Sequence, residues 1–404
     1  MEGKGMVDFD AIRAEFPILD QSVHGHPLVY LDSAATAQKP QCVIDAEADF
    51  YRHDNAAVHR GAHELAARST VAFERARASM ARLVGACADE GGEEIVVTGG
   101  ATAGLNLLAT AFGNASLGRG GSAAARFALH PGDEIMVSKA EHHSVLLPFQ
   151  ELAARTGATL KWLDLDEEGR IRSDMADEVI TERTRVVAVT HVANVTGAIT
   201  DLAPIIRRAH AVGALVVLDA CQSVPHLKVD VHALDVDFAV WSAHKMYGPT
   251  GVGFLYGRRE LLEALPPANF GGSMVELAWM DRPAQYMAPP AKFEAGTQPV
   301  AQVVAAELLK LGDVDGVRIL GPREDKDRIG TVAFDVDGVH PHDVGQFIDA
   351  QGIAIRVGHH CAQPVHRHFG LYASNRASSG VYNSVADAQA LVEAVSKVRA
   401  FFRV

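Results

Sequence analysis

The stretch from Leu215 to Gly253, LVVLDACQSVPHLKVDVHALDVDFAVWSAHKMYGPTGVG, constrains this chain more than any other. It holds two apolar runs rich in β-branched residues, and each ends in polar residues. The first ends at Asp219, the second at Ser242, His244 and Lys245. Short continuous apolar runs of this kind suit strands of a sheet covered on both faces. In an open α/β sheet, ligands sit at the carboxyl ends of the strands. A carboxylate and a lysine delivered there together suit pyridoxal 5'-phosphate (PLP). The lysine amine forms a Schiff base with the aldehyde, and the carboxylate keeps the pyridine nitrogen protonated so that the ring acts as an electron sink. Alone, Asp219 would read as a turn cap and Lys245 as a surface residue. The signal is the pair, with Ser242 and His244 beside the lysine and glycines after it.

The surrounding chain fits such a sheet. Helical segments alternate with short buried runs at 94–98, 134–138, 160–165, 186–192, 215–220, 238–244 and 251–257. That alternation predicts an α/β fold with a mostly parallel seven-stranded sheet. The Gly- and Ala-rich stretch from Ala115 to Phe127 is expected to be a flexible loop. From about Val300 the pattern changes. Helices over 300–311, 342–350 and 386–402, with strands over 330–336, 353–358 and 378–383, predict a small α+β domain. The expected organisation is an N-terminal segment, 1–27, packing on the small domain, a large cofactor-binding domain, 28–299, and a small C-terminal domain, 300–404.

A net charge of −13 over 404 residues leaves no basic surplus to neutralise phosphates, so nucleic acid is not an expected partner. None of the four cysteines forms a C-x-x-C pair, which speaks against a disulfide framework or a thiolate zinc site. No apolar run approaches a membrane span, and the first residues lack a signal-peptide core, so a cytoplasmic enzyme without a membrane partner is expected.

Other segments carry chemistry more weakly. TGGATAG, from Thr98, places a Gly-Gly turn before a helix, where backbone N–H groups bind phosphate and Thr102 adds a hydroxyl. His142, in EHHSV, could stack on the pyridine ring and shuttle protons. Asn194 and Gln222, at strand ends, could hydrogen-bond the cofactor's phenolic oxygen or the substrate, although polar residues at strand ends carry little signal alone. In RVGHHCAQP, Cys361 follows Arg356 and two histidines; cationic neighbours favour the reactive thiolate. His366 and His368 could instead complete a metal site, and from this segment alone the two readings stand level. Arg376, in ASNRAS, is placed in a loop before a strand, where a guanidinium can fork onto a carboxylate.

Taken together, YLDSAATAQKP, FYRHDNAAVHRGAH, the EHH run, THVANVTG, LDACQS, SAHKMYGPTGVG, KFEAGT, RVGHHCA and RAS…YN resemble the group II, SufS-type cysteine desulfurases. These are fold type I PLP enzymes of the class V aminotransferase family. The resemblance covers nearly the whole chain. It implies that Lys245 is the Schiff-base lysine, that Asp219 pairs with the pyridine nitrogen and that His142 stacks on the ring. Gln222 and Asn194 fall on cofactor- and substrate-facing positions, and Thr102, Ser242 and His244 on the phosphate site. Thr297 matches a threonine that reaches the phosphate of the partner subunit in a homodimer. Arg376, with Arg356 nearby, matches the substrate-carboxylate site, and Cys361 the sulfur-accepting thiol. The implied activity converts L-cysteine to L-alanine and leaves a persulfide on Cys361, for a SufE- or SufU-like acceptor serving iron–sulfur assembly. The same residues suit a selenocysteine lyase or a cysteine sulfinate desulfinase.

The chain departs from the family pattern in three places. Ala103 stands where a glutamate is usual, Ala243 replaces a glycine before His244, and the stretch between EAGT and RILGP is short. The last departure admits a second outcome, an impaired relative that serves as a scaffold. It also predicts a small domain whose final helix must cover the sheet with little help.

Overall fold

The computed structural model describes residues 9–59, 61–87, 92–306 and 327–403. The short stretch after EAGT falls largely outside them. Seven strands form the main sheet: β1 (Ile95–Thr98), β2 (Glu134–Ser138), β3 (Thr159–Leu163), β4 (Thr184–Thr190), β5 (Leu215–Asp219), β6 (Phe238–Ser242) and β7 (Gly253–Gly257). Their spatial order is β1-β7-β6-β5-β4-β2-β3, and β7 alone runs against its neighbours. Every residue of β1, β2, β5, β6 and β7 is buried. Helices on both faces explain why these strands read as continuous apolar runs rather than alternating ones.

Helix α1 (Ala101–Ser116) starts directly over the ends of β6 and β7. Its backbone comes so close that a Cβ on Gly253 would stand 2.5 Å from the Gly100 Cα. Gly100 itself has φ +129°, outside the range other residues adopt comfortably. The Gly-Gly turn is therefore what lets the helix N-terminus reach the sheet.

The stretch predicted to be a flexible loop is instead partly a 3-10 helix, Gly121–Phe127, with Ala124 and Phe127 buried. Phe127 stacks on Phe112 with ring centres 5.7 Å apart. Two apolar anchors outweigh the conformational freedom of the surrounding glycines.

A second sheet has three antiparallel strands in the order β8 (Thr331–Phe334), β10 (Ser374–Ser378), β9 (Arg356–Gly358). Ser374–Ser378 corrects the expected strand at 378–383: residues beyond Ser378 form a turn, and Arg376 lies inside the strand rather than before it. The apolar cluster of this sheet takes Val344 and Ile348 from helix α2 (Pro341–Asp349) and Ala394 and Val398 from α3 (Val385–Phe402). The final helix thus shares the covering with α2. The N-terminal segment touches both parts: Phe16 packs edge-on against Tyr247 and Tyr382, and His24 pairs with Asp349. Among the described residues no helix is long and apolar enough to cross a membrane.

Candidate active site

The carboxyl ends of β4, β5 and β6 open into a cavity of about 180 Å³ lined by Asp219, Gln222, Ser242, His244, Lys245 and His142. Thr102, Asn194 and Arg356 line it as well. Sheet register places Thr190, Asp219 and Val240 side by side, so three adjacent strands deliver their ends to one floor. Asp219 is buried, and its Oδ1 accepts the Cys221 N–H at 2.9 Å. Lys245 follows β6 on a single 3-10 turn, Ala243–Lys245. Ala243 is fully buried and is not among the left-handed residues, so the backbone here does not require the glycine usual in the family.

The phosphate-like end lies at the start of α1. Ser242 Oγ accepts the Ala101 N–H at 2.8 Å, and Thr102 Oγ1 lies 2.7 Å from Ser144 Oγ. Hydroxyls and helix N–H groups here form the donor set that an anion needs. The His244 carbonyl accepts from the Ala37 N–H at 2.9 Å and from Lys39 Nζ at 3.2 Å, tying the YLDSAAT segment to the lysine turn. Burial, with the charges of Lys245 and Lys39, pulls the His244 imidazole down to about 4.

His142 caps the helix His143–Thr156, its Nδ1 accepting the Ser144 N–H at 3.1 Å. Burial, and next the charge of Lys245, lowers its pKa to about 4, so the ring is neutral around pH 7. A neutral flat ring is the form suited to stacking on a heteroaromatic cofactor. Gln222 donates Nε2 to the Ala34 carbonyl at 2.8 Å, while its Oε1 is buried without a partner among the described residues. A buried orphan acceptor in a polar cavity is costly unless a ligand satisfies it. That acceptor and the Asp219–Lys245 pair make the donor set fit PLP.

The thiol arrives from the other sheet. Cys361 follows β9, and both His360 and Cys361 are left-handed, at φ +50° and +57°. The loop is held from across the cavity. Asn194 Nδ2 donates to the His360 carbonyl at 2.6 Å, and the His143 N–H to the Cys361 carbonyl at 2.8 Å. Arg356 Nη2 donates to Cys361 Sγ at 3.5 Å. The metal alternative finds no geometry among the described residues. His366 bonds on both nitrogens, to the Ala362 carbonyl and to Ser374 Oγ, and His368 Nε2 meets the Asp166 carbonyl. Among the described residues no group of three or more His, Cys, Asp or Glu could hold a metal ion.

Arg376 is 1 % exposed and sits directly opposite Arg356 in the strand register. Facing like charges repel. Arg376 is offset by Asp32, which accepts from Nη2 at 3.1 Å, and by the Asn194 carbonyl, which accepts from Nη1 at 3.0 Å. Its Nε is buried and has no partner among the described residues. Burial lowers its pKa to about 10, so it is still charged at pH 7. Asp32 went unassigned in the sequence, although it lies in the YLDSAAT run; only the fold brings it to an arginine 344 residues away.

Thr297 does not join these residues within the chain. It lines a separate cavity of about 340 Å³ beside Gly99 and Ala103. The loop that carries it is anchored by a buried ion pair. Glu294 accepts from Arg77 Nη1 at 2.5 Å and Nη2 at 2.9 Å, and from the Val97 N–H at 2.7 Å.

The aminotransferase class-V family model matches residues 29–309 and 305–391. The chain is 46% identical to "Probable cysteine desulfurase 2" of Mycobacterium leprae (strain TN), with 98% of each chain covered. It is 42% identical to the cysteine desulfurase of Dickeya dadantii (strain 3937), with 96% of each covered. Among solved structures, the cysteine desulfurase CsdA of Escherichia coli, in an S-sulfonic acid form, superposes with a TM-score of 0.84 at 36% identity, covering 98% of this chain and all of that one. The apo cysteine desulfurase of Thermococcus onnurineus NA1 gives 0.86 at 31% identity, covering 98% and 99%.

Proposed function

This chain belongs to the aminotransferase class-V family, and from that membership we propose that it is a PLP-dependent cysteine desulfurase of the group II type. The observation that carries the reading is one cavity shared by Asp219, Lys245, His142 and Arg356, with Cys361 held at its edge by Arg356 and His143. PLP, when bound, supplies the electron sink that makes the substrate's α-proton removable. With PLP bound, Asp219 would meet the pyridine nitrogen, His142 would cover the ring, and Thr102, Ser242 and His244 would receive the phosphate. Arg376, pre-oriented by Asp32, takes the carboxylate of L-cysteine. Lys245 anchors the cofactor and then moves the α-proton.

Cys361 Sγ attacks the substrate sulfur. The new S–S bond forms as the substrate's Cβ–S bond breaks, and the electron pair stays with the carbon fragment, which takes up a proton and leaves as L-alanine. Cys361 is left as a persulfide, exposed enough to pass its sulfur to a SufE- or SufU-like acceptor for iron–sulfur assembly. The positioning of Thr297 away from its own cavity supports a homodimer in which each chain completes the other's phosphate site. All four cysteines are free, which suits a reducing cytoplasm. The test is parallel measurement of alanine with sulfide or selenide release from L-cysteine and L-selenocysteine. Alanine from L-cysteine at ordinary rates supports the desulfurase. Turnover of selenocysteine alone points to a lyase, and turnover of neither to a scaffold.

A further inference from the structure

Glu141 opens the E-H-H run, yet no step above uses it. It is 1 % exposed. Its Oε1 accepts the Ser138 hydroxyl at 2.5 Å and the Thr190 N–H at 3.1 Å, so one oxygen spans the ends of β2 and β4. Its Oε2 is buried and without a partner among the described residues. Thr190 is the register neighbour of Asp219, which puts a second carboxyl behind the first.

We propose that Glu141 is a positioning residue that works as an uncharged carboxylic acid. It ties the turn leading into His142 to the end of β4, and it leaves Asp219 to carry the negative charge at these strand ends. The inference rests on the cofactor reading above and extends it to a residue outside the cavity wall.

The physical case is the absence of compensation. A buried carboxylate with no cation to pair with gives up its charge instead. No salt bridge to Glu141 occurs among the described residues. Burial pushes the group up to about 8; the donors from Ser138 and Thr190 oppose that rise, and the charge of Asp219 adds to it. The other charged or titratable groups near the turn are Lys139, whose ammonium is committed to Asp164 at 2.6 Å, His142 and His143 on the same segment, and His191 next to Thr190; His142 in turn faces Lys245, Asp219 and Arg356. A second full charge beside Asp219 would draw on the same cations that orient the cofactor and the thiol.

Two variants of the holoenzyme test this. In infrared difference spectra at pH 7, wild type minus Glu141→Gln should show the carbonyl band of a protonated carboxylic acid. Melting temperatures provide the second readout. Between its ordinary 4.5 and about 8, Glu141 holds a proton in the native state that the unfolded chain releases. Wild-type stability should therefore fall with rising pH relative to Glu141→Gln, and the gap should stop widening above about pH 8. Glu141→Ala removes the clamp as well as the acid and should weaken PLP binding about tenfold, with a changed circular dichroism of the cofactor band, while Glu141→Gln keeps both. A missing acid band, a stability gap independent of pH, or unchanged PLP affinity in Glu141→Ala each overturns the proposal. The Gln arm decides even where the Ala variant fails to fold. A wild type that takes up no PLP would instead sink the cofactor reading, leaving the protonation result to stand by itself.

Discussion

Every residue of β5 and β6 is buried, whereas β9 is half-buried along its whole length. Both regions send side chains to one cavity, but by different means. Asp219 and Ser242 come from the ends of strands packed on both faces, with neighbours that cannot shift without opening the core. Cys361 comes from a loop with two consecutive left-handed residues, held by hydrogen bonds to Asn194 and His143 across the cavity. The comparison teaches a division of labour. The cofactor end is fixed by packing, and the sulfur end by a few polar contacts that can be exchanged. Under the proposed function, a thiol that meets a substrate and then an acceptor is better served by the second arrangement.

The sharpest test separates the two regions. Lys245→Ala should abolish both the visible absorption of the bound cofactor and alanine formation, while Cys361→Ser should abolish sulfur transfer and leave the absorption intact. Loss of the cofactor band in Cys361→Ser would break the comparison. Next in size is Arg376→Lys. An ammonium cannot reproduce the fork of a guanidinium held by Asp32 and Asn194. The KM for L-cysteine should rise about tenfold or more with PLP affinity unchanged, since a hydrogen bond to a charged group is worth about 1.5–3 kcal/mol. Thr297→Ala should weaken PLP retention by a similar or smaller amount, measured by dialysis against an amine that traps the cofactor's aldehyde, and only in the dimer. An active monomer in sedimentation would remove that role. The smallest effect is in hydrogen exchange. Amides of Thr331–Phe334 and Arg356–Gly358 should exchange faster than those of Leu215–Asp219. Equal protection would show that α2 and α3 cover the small sheet as firmly as the large one is covered.

The same contrast governs what the sequence reveals. β5 and β6 announce themselves because burial on both faces writes an uninterrupted apolar run, and the polar residue that ends each run marks the site. Arg376 gives no such signal. Its strand, S-N-R-A-S, is polar at every position but Ala377, and Arg376 is buried because Asp32 and the Asn194 carbonyl satisfy it from 344 and 182 positions away. A local reading therefore puts it in a loop and moves the strand to the more apolar residues that follow. Glu141 stands in plain view beside His142, yet nothing in its local sequence marks it as buried, because only the fold removes its water. The Gly- and Ala-rich stretch near Phe127 misled for the opposite reason: composition advertised freedom, and two buried anchors, Ala124 and the stacked Phe127, cancelled it.

The Arg77–Glu294 pair has a bearing on how two copies meet. Glu294 stands three positions before Thr297 and is clamped to both Arg77 and the backbone of β1 within its own chain. The arm offered to a neighbour is thus shaped before the neighbour arrives. In the proposed homodimer, encounter need not be followed by slow ordering of a floppy reach, and little entropy is spent at the moment of contact. Newly made subunits would become competent to hold cofactor as fast as they find each other, making assembly a matter of collision frequency and therefore of concentration.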